Sequence, residues 1–250
     1  MAIFFGALLA VIFVPILVGT VIGYARGWPE SWRAASWESS GVLPDAKSLP
    51  EASVRILAAR TGRWKGIFAV HTWIVMKDRG DAPWVRHDVV GWGKPVRRDN
   101  YAADAYWYGN TPYIVNEIRG EAAERMIPEI ERVIVAYPWQ EQGSYTVWPG
   151  PNSNSFIAWL TRHVPGLQTE MPATAIGKDY LGPGLKWAKT PSGTGWQISA
   201  WGLAGASLAL EEGLELNILG TTLGIDPKGL SVKVPALGVV GAGRALGDPT

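Results

Sequence analysis

Three histidines and one serine carry the chemistry open to this chain. The histidines are His71, His87 and His163. There is no Cys, which removes a thiol nucleophile, disulfides and thiolate metal sites together. Ser153 follows a stiff Trp148-Pro149-Gly150-Pro151 turn and sits within Asn152-Ser153-Asn154-Ser155. Asn and Ser are preferred helix caps, so this run predicts a helix through Phe156–Leu160, ended by Val164-Pro165-Gly166. Amides at a helix start can hold a developing oxyanion. A Ser hydroxyl is hardly ionised at neutral pH and needs a base beside it. His71 fits that base and His87 a group orienting it, the general nucleophile, base and orienter pattern. Asn152, Asn154, Trp73 and Trp148, with Tyr145, are the expected ligand-binding residues around such a site.

The plainer reading makes His71 a hydrogen-bonded core residue and Asn152-Ser153 an ordinary cap. His163 reads as a C-terminal helix residue that favours the dipole. No metal is expected, because no carboxylate stands at ligand spacing from a histidine. The glycines of Gly238–Gly243 follow no G-x-G-x-x-G pattern before a helix, so no nucleotide cofactor is expected either.

The elements that must position these residues are legible in outline. Gly66–Met76 is a strand by β-branched and aromatic content. Alternation puts Ile67, Ala69, His71, Trp73 and Val75 on one face, and Phe68, Val70, Thr72, Ile74 and Met76 on the other. Lys77–Asp81 is a turn, Trp84–Trp92 a second strand and Tyr113–Ile118 a third. His71 and His87 are equidistant from Arg79, so a hairpin centred there opposes them directly. A slip of one residue breaks that pairing. Glu121–Ala136 has helical periodicity, and Pro128 predicts a short helix to Met126 followed by a second one. Short strand-like runs such as Leu214–Leu219 fill the Gly-rich C-terminal part.

Ala2–Tyr24 carries no charged side chain and is long enough to span a bilayer. Trp28, Trp32 and Trp37 follow where an interfacial belt would sit. The competing reading is a cleaved signal peptide. Against it stand the length of the apolar run, the missing basic start and the missing A-x-A site. Lys and Arg (23) nearly balance Asp and Glu (22), so no basic field exists for nucleic acid. Arg26 and Arg33 after the span lean toward a cytoplasmic domain by charge counting.

Several segments resemble domain-of-unknown-function family 3750, a bacterial family. They are Phe68-Ala69-Val70-His71-Thr72-Trp73-Ile74, the Trp148–Phe156 stretch, Ala175-Ile176-Gly177-Lys178-Asp179-Tyr180, Pro191–Gly195 and Gly213–Asn217. More distantly, a strand His, a second-strand His and an Asn-nucleophile opening a helix is similar to the circularly permuted papain-like proteins. Those include lecithin–retinol acyltransferase-like enzymes and NlpC-type wall peptidases. Ser153 stands where they carry Cys. With the apolar span and the Gly-rich strand-like runs, the resemblance gives the expected fold: α+β, an N-terminal transmembrane helix followed by a permuted papain-like domain with an antiparallel sheet, and a β-rich C-terminal extension. The expected division is anchor 1–25, juxtamembrane Trp-rich segment and linker 26–50, papain-like domain 51–195 and β-rich region 196–250. The implied function is a membrane-anchored envelope hydrolase or acyltransferase on amide or ester bonds. Its alternative is an inactive module binding lipid, glycan or peptide. Membrane lipid, through the N-terminal helix, and a lipid, peptidoglycan-type or peptide ligand are the expected partners. Likeness to wall-acting enzymes places the domain on the periplasmic or outer face, against the charge count. An assembly protein without a small-molecule site is the third reading.

Overall fold

A computed structural model describes residues 2–241. Met1 and residues 242–250, the two ends of the expected anchor and β-rich region, lie outside it. The protein is α+β, with an N-terminal apolar helix and two antiparallel sheets. Helix α1 spans Ala2–Arg26 and is the one helix, among the described residues, long and apolar enough to cross a membrane. Its C-terminal half docks on the rest of the protein. A Cβ at Gly19 would lie 2.8 Å from Ala236 Cβ, and one at Gly23 2.9 Å from Ile67 Cγ1. Only glycine permits that approach.

The first sheet has the order β4-β3-β2-β1-β5: β1 (Ser53–Arg60), β2 (Val70–Lys77), β3 (Val85–Val89), β4 (Val96–Arg98) and β5 (Tyr113–Arg119). Strand β1 is buried nearly throughout and shows no polar alternation. Helices α2 (Gly120–Val135) and α3 (Ser153–His163) cover one face. There Val54, Ile56, Val70 and Ile74 pack with Ile130, Phe156, Ile157 and Leu160. The two short helices expected around Pro128 are one continuous helix. An interior Pro costs about 3 kcal/mol. Burial of Ala123, Met126, Ile127, Ile130, Val133 and Ile134 on one side offsets it.

The other face buries Leu57, Trp73 and Val75 under Trp107, Leu43 and the half-buried Trp37. The expected linker is therefore structural. Ser39 Oγ and the Leu43 amide bind the Asp104 carboxylate at 2.7 and 3.2 Å, and Trp84 Nε1 donates to Pro44 O. Trp37 packs in this cluster, 5.2 Å from Tyr101.

The second sheet is a seven-stranded meander of consecutive antiparallel neighbours: β6 (Leu185–Lys189), β7 (Gly195–Ala200), β8 (Ala204–Ala209), β9 (Gly213–Ile218), β10 (Thr221–Asp226), β11 (Ser231–Val234) and β12 (Gly238–Gly241). It begins ahead of residue 196, where the expected β-rich region starts. Its buried face is polar: Gln197, Ser199, Ser207, Glu215, Asn217, Thr222, Asp226 and Lys233. Glu215 Oε1 accepts from Lys178 Nζ at 3.0 Å and Lys233 Nζ at 2.6 Å. Lys233 Nζ also reaches Glu170 Oε1 at 2.7 Å and the Glu212 carbonyl at 2.7 Å. Burial alone would push the Glu215 carboxyl up, but the two lysines hold it below the ordinary carboxylate value. Arg162 of α3 completes the seam, bonding Gln197 Oε1 on β7 at 2.9 Å.

Removing one partner of a buried ion pair strands the others. Glu215→Ala should therefore cost about 3–5 kcal/mol. A thermal melt of the full chain in detergent checks this; an unchanged midpoint would mean that the seam is not what joins the second sheet to the domain.

Candidate functional site

Helix α3 begins where Asn152 caps it. The Asn152 Oδ1 accepts from the Asn154 and Ser155 amides at 2.9 and 3.2 Å, and Ser155 Oγ accepts from the Asn152 amide, a reciprocal capping box. Asn152 Nδ2 donates to Val147 O and Ile176 O, both at 3.0 Å. Asn154 Nδ2 donates to Val70 O at 3.0 Å and Ile176 O at 2.8 Å, and its Oδ1 accepts from Thr72 Oγ1 at 2.9 Å. These bonds hold the start of α3 against the start of β2. They also commit both asparagines to the protein's own groups.

Ser153 is the first residue of α3 and is buried. Its carbonyl accepts from Thr72 Oγ1 at 3.4 Å, one residue along β2 from His71. Its Oγ and its amide make no hydrogen bond among the described residues, whereas the hydroxyl of Ser155 donates to Gly177 O at 2.7 Å. No hydrogen bond joins Ser153 to His71.

His71 lies on the opposite face of β2 from Thr72, as the alternation requires. Its ring stacks on Trp107 at 3.8 Å and 4°. Its Nε2 faces Asp88 Oδ2 at 3.7 Å, an ion-pair distance too long for a hydrogen bond. Asp88 Oδ2 accepts from Arg86 Nε at 3.2 Å and Nη2 at 2.7 Å. The Arg86 guanidinium lies 4.3 Å over the Trp73 ring, and its Nη1 donates to Ala102 O at 3.1 Å. Burial pushes His71 below its ordinary value of 6.5 despite the attraction of Asp88. Burial would raise Asp88, but His71 and the Arg86 charge hold its carboxyl below the ordinary range. The assembly at neutral pH is a neutral imidazole backed by an Arg–carboxylate pair.

His87 does not join it. The register pairs Ile74 with His87 and Met76 with Val85, so His71 and His87 are not opposed. The hairpin centre is displaced from Arg79 by an odd step, which turns His87 to the face of α2. There His87 Nε2 lies 3.2 Å from Glu131 Oε1. Pro83 cannot donate to a ladder, so β3 begins only at Val85 and the connection is lopsided. Its slack is taken up by Lys77 Nζ, which donates to Asp78 O and Gly80 O. Asp88 takes the position beside His71 that His87 was expected to hold. Strand alternation carried a signal for it, since Arg86 and Asp88 share the face that His87 lacks.

Trp73 is buried, with Nε1 donating to Ala103 O at 2.8 Å, and lies within the aromatic cluster around His71. Trp148 is 44% exposed and bonds Leu219 O at 2.9 Å, at a tip of the second sheet. Tyr145 packs against Gly91, and burial pushes its hydroxyl up to about 12. Among the described residues no group of three or more His, Asp or Glu side chains could hold a metal.

An imidazole held neutral by burial makes folding pH-dependent. Below about 6.5 an unfolded His71 takes a proton that the folded one refuses, so stability falls as pH drops through that value. Full-length wild type should lose chemical stability from pH 7.5 to 5 relative to His71→Gln. Other titrating groups are common to both chains. Parallel pH curves would mean that His71 charges freely in the folded state.

No curated protein and no solved structure matches the chain. A family model described as protein of unknown function (DUF3750) matches residues 51–180. The match takes in both strand pairs around His71, the start of α3 with Ser153, and Lys178 of the polar seam. Spanning just over half of the sequence, it shows that this chain belongs to the DUF3750 family.

Proposed function

We propose that the protein is a membrane-tethered serine hydrolase or acyltransferase built on a permuted papain-like frame. The observation that carries this reading is the state of Ser153. It alone in the first turn of α3 has both hydroxyl and amide uncommitted, while its neighbours are tied down. Ser153 Oγ attacks an ester or amide carbonyl once substrate binding brings it within reach of His71 Nδ1, the nitrogen turned away from Asp88, which then takes its proton. The Ser153 amide and the helix dipole support the oxyanion. The leaving alcohol or amine takes the proton from His71. Water or a second acceptor then releases the acyl group by the reverse path. Asp88, held by Arg86, orients His71 and stabilises the imidazolium that forms. The order of strand His, second-strand acid and helix-start nucleophile supports the papain-like frame.

Helix α1 is the tether, and Ser153 then meets acyl lipids or peptidoglycan-type amides at the membrane surface. We place the domain on the outer face, following that substrate class. A binding module is the second reading. The missing Ser153–His71 hydrogen bond and the Trp107 ring over His71 favour it. In that case the exposed Trp148 is the remaining aromatic contact for a lipid, glycan or peptide.

A fluorophosphonate probe on membranes carrying the full chain separates the two. Wild type should label and Ser153→Ala should not. Loss of a general base should slow labelling by about 10²–10⁴-fold in His71→Gln, and Asp88→Asn should slow it too. Labelling should fall off only at a pH below the ordinary histidine range, because burial holds His71 below its usual value. Unlabelled wild type, or equal labelling of Ser153→Ala, overturns the enzyme and leaves the binding module.

A further inference from the structure

The second sheet is inside out. Its buried face is polar, and its outward face is apolar from one edge to the other. Strand β9 alternates with Leu214, Leu216 and Ile218 outward and Glu215 and Asn217 inward. The register continues the outward row: Leu208 opposite Leu214, Trp196 opposite Leu208, Ile225 opposite Leu214 and Val232 opposite Ile225. Leu208 is 70% exposed and Trp187 74%. Seven strands about 4.8 Å apart and nearly 20 Å long give this face roughly 500 Å². A contiguous apolar patch at the upper end of what a soluble monomer exposes is often a functional contact surface.

We propose that this face is a lipid-contact surface, lying in the same membrane that α1 crosses, so that the domain is a platform seated on one leaflet and not a globule on a leash. Continuity with α1 points to lipid over a protein partner. Val11 and Val14 of α1 line one apolar groove with Leu216 and Ile225 of the sheet. The outward side chains of α1, Phe13, Leu17 and Val21, extend the same surface. The composition of the sheet is graded in the sense a bilayer requires. Leu, Ile and Val dominate β9–β12 beside α1, whereas the far edge carries Trp187, Trp196 and Trp201 with Lys186 and Lys189. Trp and Lys are the residues of the membrane–water interface. Lys189 Nζ already lies 4.3 Å over the Trp196 ring. The edges of an open sheet carry unpaired backbone groups that hydrocarbon cannot satisfy. The sheet therefore lies face-down in one leaflet, deepest at β9 and β10, with both edge strands, β12 and β6, at the interface. In the hydrolase reading such a platform would fix the site at a constant height above the lipid.

The inference rests on α1 being a membrane helix, and the test keeps the two apart. The chain has no Cys, so single cysteines can be labelled without background. Bimane is placed on Leu216→Cys in β9, Leu17→Cys in α1 and Arg125→Cys on exposed α2, each in the full chain. The proteins are reconstituted in phosphatidylethanolamine–phosphatidylglycerol vesicles containing doxyl lipid. Leu216 and Leu17 should each lose more than half of their emission to doxyl lipid and little to iodide, with Arg125 showing the reverse. Iodide quenching at Leu216 with doxyl quenching at Leu17 overturns the platform and keeps the tether. Protection of Leu216 from both quenchers overturns it in favour of a protein partner or a second copy. Iodide quenching at both positions overturns the tether and the platform together.

Discussion

Glu215 lies between two lysine ammonium groups, Lys178 and Lys233, in a layer where none of the three reaches water. Buried charges are tolerable only when each finds its counter-charge and its remaining hydrogen bonds. Lys178 comes from the loop after α3 and Lys233 from β11, so satisfying Glu215 requires the second sheet to press its polar face onto the domain. Once that face turns inward, strand alternation leaves the Leu, Ile and Trp side chains no place but outward. One electrostatic arrangement thus dictates both how the two sheets join and which surface the protein presents.

The site obeys a related rule on a smaller scale. Three side chains, Asn152, Asn154 and Thr72, tie the start of α3 to β2 and to the Ile176 carbonyl. Their bonds place Ser153 beside the strand that carries His71 and spend every other polar group in the turn. On the far face, Arg86 neutralises Asp88, and stacking on Trp107 keeps His71 from water. A neutral imidazole with its carboxylate pre-formed is the protonation state a general base needs.

The apolar helix and the domain are closely packed together. Gly19 of α1 admits Ala236, and Ala236 O in turn accepts from Arg60 Nη1 at 2.9 Å, at the end of β1. A path of contacts therefore runs from the apolar helix through the turn between β11 and β12 to the end of β1 in the first sheet. The segment after α1 adds to it, since Trp37 and Leu43 form part of the roof above Trp73.

The apolar helix, the two faces of β2 and the capped start of α3 are all legible in the sequence. Each depends on composition or periodicity within one short segment, and such sums over near neighbours do not need the fold. The outward row of β9 is visible as Leu214, Leu216 and Ile218 alternating with Glu215 and Asn217, but that pattern cannot say which row meets the domain. Strand β1 has no alternation to find, because both its faces are covered. Helix α2 crosses Pro128 because packing along its whole length outweighs one missing rung. The pairing of His71 with Asp88 in place of His87 turns on an odd shift in the hairpin between β2 and β3. Register, the orientation of a sheet and the partner of a buried histidine are decided by contacts between residues far apart in the chain. Those contacts exist only once the tertiary structure has formed.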